Sequence, residues 1–395
     1  MMTKIYDLII IGAGPSGLST ALHLDRFAHD LGLDILILEK SRHPRLKLCA
    51  GGILAEGEAI LSKLDLDLLE VPHVDVDKAF MNFEGRGMTA RLPGAGPIFR
   101  VVRRDEFDAW LAGKVRERGI EIREEIAVKS VETLADHAIV KTSQDEFRAR
   151  VVVGADGSNS VVRRAVEKKA RSHVGRALEV ITPAIPTAAS SHLPHFQKNG
   201  GGREGVASFD FLAVPKGISG YVWDFPTQIK GKAMRCWGIY DSNIHQRPNR
   251  DPLREVLDAE MAANGYDLDN FELKGHPIRW YEPANAPATD RIILVGDALG
   301  VDALLGEGIS PALGYGRIAA QAIQHAFENN DFSFREYKAR LARSRLGRAL
   351  SRRTFFAKVL YLFNKARLQG VIWHRMGWLA GLIGVFFVVG WEKKK

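Results

Sequence analysis

The sequence Gly-Ala-Gly-Pro-Ser-Gly at residues 12–17 decides the fold, because its glycines have the spacing of a nucleotide-binding turn. Gly12 permits the tight turn, Gly14 lets a pyrophosphate approach the backbone, and Gly17 lets helix and strand pack closely. Pro15 and Ser16 belong to the same turn, so we expect both beside the ligand. Free backbone N–H groups and the positive end of the following helix would face the phosphates. The stretch therefore predicts a dinucleotide site.

The segments around this turn have the pattern of a β-α-β unit. Residues 5–11 and 34–39 are short apolar runs that are typical of buried parallel strands. We expect the helix between them to run from Pro15 to about Asp30. Glu39 follows 22 residues after Gly17, where its carboxylate can accept hydrogen bonds from ribose hydroxyls, and Lys40 is next to it. The pattern predicts a doubly wound α/β domain.

The rest of the chain divides between this Rossmann-like domain and a mostly antiparallel β domain for the substrate. Strand-like runs alternate with loops rich in glycine and proline over residues 74–100 and 175–285. Helices are expected at Arg104–Arg118 and Pro311–Asn329, and a buried strand at Arg291–Val295. The predicted boundaries are 1–73, 101–172 and 287–330 for the nucleotide-binding domain, 74–100 and 173–286 for the substrate domain, and 331–395 for a C-terminal helical region.

Composition and charge exclude several classes of site. Cys49 and Cys236 are the two cysteines, so we expect no disulfide framework, and no cluster of histidines and cysteines has metal-ligand spacing. The net charge is +8, yet residues 335–395 contain 15 Lys or Arg and 2 Asp or Glu, which is +13 and leaves −5 elsewhere. This excess predicts contact between the C-terminal segment and an anionic surface, and we expect no nucleic-acid partner.

Two later segments resemble the paired dinucleotide motifs of the p-hydroxybenzoate hydroxylase-type flavoproteins. They are Val-Gly-Ala-Asp-Gly-Ser at residues 153–158 and Gly-Asp-Ala-Leu-Gly at residues 296–300. The resemblance implies FAD as the cofactor, with Asp297 at the ribityl chain and Arg104 as a further contact. It also places a helix N-terminus against the isoalloxazine ring, where the helix dipole stabilises negative charge. The other FAD contacts that we expect are Cys49, Ala50, Val128, Asp156, Gly157, Gly308 and Ile309.

Further motifs resemble those of the geranylgeranyl reductases, which saturate isoprenoid double bonds. They are Lys-Leu-Cys-Ala-Gly-Gly at 47–52, Tyr-Val-Trp-Asp-Phe-Pro at 221–226 and Val-Asp-Ala-Leu-Leu-Gly-Glu-Gly at 301–308, and the resemblance covers about residues 5–320. It implies hydride transfer from reduced flavin to an alkene carbon and protonation of the adjacent carbon, with Cys49 for proton delivery or cation stabilisation. Tyr221 and Trp223 face one side of a strand and would wall an apolar slot for a polyprenyl lipid.

Other flavoproteins of this fold stay open as alternatives. A monooxygenase or a flavin halogenase is one, since halogenases carry a similar Trp-x-Trp-x-Ile-Pro run, although they also need a tunnel lysine that the sequence does not place. A quinone-linked electron carrier is disfavoured, because two cysteines cannot supply the four ligands of an iron–sulfur cluster. A flavin-bearing membrane scaffold or sensor is a further alternative. The single glycine fingerprint implies that NAD(P)H docks transiently or that a reduced ferredoxin-type protein donates electrons.

The C-terminal segment has the composition of a membrane-attachment element. Met376–Trp391 is an uncharged, mostly apolar run with tryptophans, Trp378 and Trp391, near its ends. The run is shorter than the ~20 residues of a helical span, so we expect an interfacial segment or a shallow hairpin, with packing on the protein's own core as the alternative. The enzyme would then be peripheral or C-terminally anchored on the cytoplasmic face of a membrane. The basic segment Arg335–Arg367 would contribute an interleaved apolar set, Leu341, Leu346, Leu350, Phe355, Phe356, Leu360, Leu362 and Phe363.

Overall fold

The computed structural model describes residues 4–91, 96–167, 174–184, 205–377 and 390–392. The strands in these ranges are numbered in chain order. They are β1 (Ile5–Ile11), β2 (Ile35–Leu38), β3 (Gly52–Leu54), β4 (His73–Val76), β5 (Lys78–Phe83), β6 (Arg86–Ala90), β7 (Phe99–Val102), β8 (Glu121–Arg123), β9 (Val128–Thr133), β10 (Ala138–Thr142), β11 (Glu146–Gly154), β12 (Val174–Pro183), β13 (Val206–Asp210), β14 (Gly220–Ile229), β15 (Lys232–Asp241), β16 (Lys274–Arg279), β17 (Ala288–Thr289) and β18 (Ile292–Leu294).

The helices of the same ranges lie mainly against the first sheet and at the C-terminal end. They are α1 (Pro15–Phe27), α2 (Ala55–Lys63), α3 (Arg104–Glu117), α4 (Val162–Val166), α5 (Leu253–Ala263), α6 (Ile309–Asn329), α7 (Tyr337–Arg343), α8 (Arg345–Leu360) and α9 (Ala366–Gly370). The predicted α/β class is confirmed by this mixture of helices with parallel and antiparallel sheets.

The first sheet carries the glycine turn at its centre. Its strand order is β17-β18-β11-β1-β2-β8, with β10 and β9 joined to β11, and β1 pairs in parallel with both β2 and β11. Leu8, Ile9 and Ile10 are fully buried, as a strand covered on both faces requires. Helix α1 ends at Phe27, three residues before the predicted end, because a 3-10 turn at His29–Leu31 follows it.

The second sheet supplies a wall for the site. Its order is β16-β12-β15-β14-β13-β5-β6, and every pairing is antiparallel except the one between β13 and β5. On β14, Tyr221, Trp223 and Phe225 share one buried face, as the period of two predicts. Trp223 stands opposite Gly238 of β15, and a Cβ at Gly238 would lie 2.1 Å from Cζ2 of the indole. This glycine therefore provides the space that the indole needs.

Sequence analysis assigned the apolar side chains of the C-terminal helices to a membrane. In the structure some of them are buried and others are exposed. Leu341, Leu346 and Leu350 are buried in the main core, so their predicted contact with lipid is wrong. The reason is that α7 and α8 turn this face toward α6. By contrast, six of the eleven large apolar side chains exposed among the described residues lie between residues 355 and 376. They are Phe355, Val359, Leu362, Phe363, Leu368 and Met376.

The described end of the chain, residues 390–392, packs on the first domain. Trp391 is only 6% exposed, and its ring contacts α6 at Gly314, where a Cβ would lie 2.7 Å from it. Glu392 pairs with Lys63 of α2, and Gly390 N–H donates to the Glu56 carboxylate. Sequence analysis expected Trp391 at the membrane interface. This expectation is wrong, since its indole is buried against α6.

Most of the apolar run expected at the membrane, residues 378–389 with Trp378, lies outside the described residues. Within the described part of the chain, no helix combines the length and apolar character that a membrane crossing requires.

We predict that Trp391→Ala lowers the free energy of unfolding by about 3 kcal/mol, because truncation of a buried aromatic ring leaves a cavity. Urea denaturation of the full chain measures this change. Met376→Ala is the control, since Met376 is exposed and its truncation is expected to change stability by less than about 0.5 kcal/mol. Equal stability of Trp391→Ala and the control would contradict the packing of Trp391.

Candidate active site

A cavity of about 540 Å³ lies between the two large sheets. Its size is that of a ligand or cofactor pocket. One end is formed by the glycine turn, and the other by the aromatic face of β14. The structure brings nearly all predicted site residues to this cavity: Gly12, Gly14, Pro15, Ser16, Glu39, Lys40, Cys49, Ala50, Arg104, Val128, Asp156, Gly157, Tyr221, Trp223, Asp297, Gly308 and Ile309.

Three glycines shape the end of the cavity nearest α1. Gly12 has φ +109°, and a Cβ there would lie 2.4 Å from the Ala155 carbonyl oxygen. Gly17 lies behind the cavity, where a Cβ would be 2.0 Å from the Gly12 oxygen, so it serves the close packing of helix on turn. At Gly14, the N-cap of α1, a Cβ would contact only Arg45 Nη2, at an ordinary van der Waals distance of 3.6 Å. A diphosphate fits at this position, against the positive end of the helix.

Arg45 is a phosphate-binding candidate that the sequence analysis missed. Its Nη2 atom lies 3.6 Å from the position of a Cβ on Gly14 and 3.2 Å from Asp108 Oδ2. Its buried Nε has no hydrogen-bond partner among the described residues. Nε lies 3.6 Å from Glu39 Oε1, so Nη2 is the Arg45 atom beside Gly14, and a guanidinium group at that place supports the fit of a diphosphate. The one sequence signal for Arg45 was its place two residues before the motif at residues 47–52.

Glu39 ties the glycine turn to the end of β2. Its Oε2 accepts a hydrogen bond from Ala13 N at 2.7 Å, and its Oε1 accepts one from Ser41 N at 3.1 Å. Each carboxylate oxygen can accept a further bond, so both can still receive ribose hydroxyl donors. The predicted ribose contact is therefore compatible with this geometry.

Residues 302–308 form a loop, called here the 302–308 loop, that lines the cavity. Three tyrosine hydroxyls donate to its carbonyls: Tyr221 to Leu305 at 2.6 Å, Tyr240 to Ala303 at 3.2 Å and Tyr361 to Leu304 at 2.5 Å. The Tyr221 hydroxyl is thus engaged with the loop, while its ring lines the cavity. These bonds hold the loop that precedes α6, whose N-terminus the resemblance assigns to the flavin ring.

Arg353 of α8 reinforces the same loop from the other side. Its Nη1 lies 3.0 Å from Glu307 Oε2 and 3.3 Å from Asp302 Oδ2, and all three side chains are largely buried. Sequence analysis missed Arg353 as a site residue, because one arginine among many in a basic segment gives no signal of burial. The C-terminal helices therefore contribute directly to the cavity wall.

Arg104 and Cys49 meet at the centre of the cavity. The Arg104 guanidinium makes two hydrogen bonds of 2.8 Å to Asp108, so it is fixed and buried rather than on a surface helix. Burial raises the pKa of the Cys49 thiol, and the Arg104 charge offsets part of that rise. Gly51 N–H donates to Cys49 Sγ at 3.4 Å. A thiol in this setting keeps its proton near pH 7, as a proton donor requires.

Lys47 and His276 form a second polar group on the cavity wall. Burial lowers the pKa of Lys47 to about 8 and, together with the Lys47 charge, lowers the pKa of His276 to about 3. Neutral His276 Nε2 therefore accepts a hydrogen bond from Lys47 Nζ. Burial raises the pKa of nearby Asp297, and Lys47 acts against that rise. His276 carries no sequence signal, because its place on β16 depends on the sheet pairing.

The far end of the cavity has an aromatic wall. Phe209 of β13 lies 5.3 Å from Tyr221 and 4.9 Å from Phe225 between ring centroids, and Phe99 lies 5.4 Å from Phe225. All four rings and that of Trp223 are buried in one apolar cluster. The predicted apolar slot thus extends over three strands, two of which sequence analysis did not assign to it.

Comparison with known proteins places the chain in a family. Residues 5–301 match the family described as FAD binding domain. The chain is 28% identical over 344 residues to digeranylgeranylglycerophospholipid reductase 2 of Methanopyrus kandleri, covering 83% of this chain and 79% of that protein. It is 26% identical over 367 residues to digeranylgeranylglycerophospholipid reductase of Methanosphaerula palustris, with coverages of 89% and 85%. The resemblance to geranylgeranyl reductases is confirmed by these relatives.

Solved structures show the same fold. A geranylgeranyl bacteriochlorophyll reductase-like protein from Thermoplasma acidophilum has a TM-score of 0.78 at 22% identity, covering 96% of each chain. A mutant of the halogenase PltM in complex with FAD has a TM-score of 0.71 at 18% identity, covering 98% of this chain and 82% of that one. Since the family match spans more than half of the sequence, the chain belongs to the FAD binding domain family.

Proposed function

We propose that this protein is an FAD-dependent reductase that saturates C=C bonds in the isoprenoid chain of a polyprenyl lipid. The observation that carries the proposal is the pairing of a partly buried, neutral thiol, Cys49, with an aromatic wall along one cavity. A hydrocarbon chain needs apolar contacts and one proton source, and both are present there. The names of the relatives support the same substrate class.

Bound FAD would supply the hydride at this site, and the protein residues would do the rest. The aromatic wall, with Tyr221 and Trp223, orients the alkene and excludes water. Cys49 holds the proton for the carbon adjacent to the one that receives the hydride. Asp297, Arg45 and the glycine turn hold the cofactor. Electrons would come from NAD(P)H that docks transiently or from a reduced ferredoxin-type protein.

A flavin halogenase or monooxygenase is the second candidate, and Lys47 is the observation that favours it. Sequence analysis did not place the tunnel lysine that a halogenase needs, and Lys47 lies on the cavity wall beside His276. Solved halogenases also share the fold. The two candidates differ in their need for oxygen. Anaerobic saturation of a geranylgeranyl lipid by the reduced holoprotein supports the reductase, and oxygen consumption with an aromatic substrate and halide supports the alternative.

We predict that Gly14→Ala weakens FAD binding about tenfold, because the added methyl group would occupy the position of the pyrophosphate. The Cβ meets only ordinary contacts in the protein itself, so folding should be unaffected. Gly113→Ala on α3 is the matched control, since its Cβ meets open space and no part of the cavity. Fluorescence titration of the deflavinated proteins measures both affinities, and equal values would contradict the assignment of the turn.

We predict that Cys49→Ala retains FAD and its reduction by dithionite but saturates the alkene at least ~100-fold more slowly, within the range of general acid catalysis. Cys49→Ser keeps a weaker proton donor. Its rate of alkene saturation should therefore lie between the rates of the wild type and Cys49→Ala. Anaerobic stopped-flow measurement of flavin reoxidation by the lipid gives these rates. Unchanged reoxidation in Cys49→Ala would assign Cys49 to packing.

We also propose that the protein docks on an anionic phospholipid membrane, at its cytoplasmic face, through the exposed apolar residues between 355 and 376. The charge of this segment supports the proposal, since residues 355–376 contain four Lys or Arg and no Asp or Glu. Of these, Lys358, Lys365, Arg367 and Arg375 are exposed. Apolar side chains framed by cations match the interface of anionic headgroups and acyl chains. A polyprenyl lipid would reach the enzyme from the same bilayer.

We predict that the double substitution Leu362→Glu with Phe363→Glu lowers binding to phosphatidylglycerol vesicles at least ~10-fold, through lost apolar burial and added repulsion. Vesicle co-sedimentation at low and high salt measures the effect. Leu69→Glu is the control, because Leu69 is equally exposed but lies outside the C-terminal segment. If the double variant and the control bind equally, this surface is not the docking face.

A further inference from the structure

A buried carboxyl group, Glu179, lies beside Cys49 and has no part in the scheme above. It belongs to β12, is 6% exposed and lines the main cavity together with Ala177 of the same strand face. The backbone N–H of Cys49 and the thiol of Cys236 face its carboxylate. The thiol that the proposed reaction uses therefore has an ionisable neighbour in the same wall.

Glu179 also borders a second cavity behind the first. This cavity has a volume of about 20 Å³, room for one water molecule, and shares Lys47, Cys49, Ala50, Arg104 and Glu179 with the main cavity. Its outer lining includes Arg103 and Asp105, whose side chains are 19% and 28% exposed. The small cavity thus joins the partly exposed Arg103 and Asp105 to Glu179 and Cys49.

The charge state of Glu179 suits proton exchange near neutral pH. Burial raises its pKa to about 7, although the Cys49 N–H, the Cys236 thiol, Arg103 and Arg104 favour the ionised form. From β16, Lys274 pairs with Glu179 in the sheet register. Burial also raises the pKa of Asp210 to about 7 and of Glu260 to about 8, but neither of these two borders either cavity.

We propose that Glu179 is a proton relay that restores the proton of Cys49 from solvent through the small cavity. This inference rests on the proposed reductase function. In each cycle the alkene receives a hydride from the reduced cofactor on one carbon and the Cys49 proton on the other. The resulting thiolate takes the Glu179 proton, and the Glu179 carboxylate then takes a solvent proton, which a water molecule in the small cavity would pass on and regain from bulk water. One hydride and one proton are consumed, and the two side chains return to their starting state.

The relay has a kinetic signature that a structural role lacks. In Glu179→Gln, Cys49 still holds its first proton, so the first turnover should proceed at the wild-type rate while later turnovers slow at least ~10-fold. Wild-type steady-state turnover should fall as pH rises through about 7, because deprotonated Glu179 has no proton to give. Glu179→Gln should lose this pH dependence. Glu179→Asp, with a carboxyl on a shorter side chain, should recover part of the rate.

The test uses the FAD-bound protein and two independent measurements. The first compares single and multiple turnovers of a geranylgeranyl lipid under anaerobic conditions. The second needs no substrate: infrared spectroscopy follows exchange of the Cys49 S–H for S–D in D2O, with Cys49→Ala identifying the band. We expect Glu179→Gln to slow this exchange at least ~10-fold. Glu260→Gln is the matched control, since it removes a partly buried acid of raised pKa that borders neither cavity.

The outcomes separate the relay from the proposed function. If the Cys49 S–H of Glu179→Gln exchanges at the wild-type rate, the relay is overturned, whether or not the protein reduces the lipid. Equal slowing of first and later turnovers also overturns it, because that result assigns Glu179 to structure or to direct proton donation. Slow exchange in a protein that does not reduce the lipid supports the connection from Glu179 to Cys49 and refutes only the reductase function.

Discussion

The ion cluster of Arg353 with Asp302 and Glu307 is the constraint on which the cavity depends. Charged groups lose hydration on burial, and the loss is compensated only when each charge keeps its partner, so removal of one partner typically costs about 3–5 kcal/mol. Here the partners come from α8 and from the 302–308 loop. The helix and the loop therefore hold one another, and the loop in turn sets one wall of the cavity and the start of α6.

Hydrogen bonds from the second sheet and from the end of α8 converge on that loop as well. Tyr221 and Tyr240 reach it from β14 and β15, and Tyr361 reaches it from the end of α8. Because each phenol donates to a backbone carbonyl, no loop side chain is needed for the contact. Alanine at position 303 is compatible with this arrangement. The loop is held by its surroundings rather than by its own stiffness.

The sequence predicted the parts of the site that depend on short-range pattern. Local sequence motifs were enough to predict three features. They are the glycine turn, the carboxylate of Glu39 at the end of a predicted strand, and the shared face of Tyr221 and Trp223. Glu179 and His276 were not predictable, because their place at the cavity follows from the pairing of β12 with β15 and β16. Packing of Trp391 on the protein's own core was only the alternative expectation, since an apolar run with terminal tryptophans has the same pattern whether it contacts lipid or the surface beside Gly314.

Helix α8 has a buried face and an exposed apolar face. Arg353 and Ala357 point into the protein, whereas Phe355 and Val359, each two residues further along, are exposed. A helix whose inward face is fixed by a buried ion cluster cannot rotate freely, so its outward apolar face keeps a constant orientation to the cavity. A membrane bound at that face would therefore lie at a defined distance from the aromatic wall. If the proposed docking holds, a lipid substrate would cover the same distance from bilayer to thiol in every encounter.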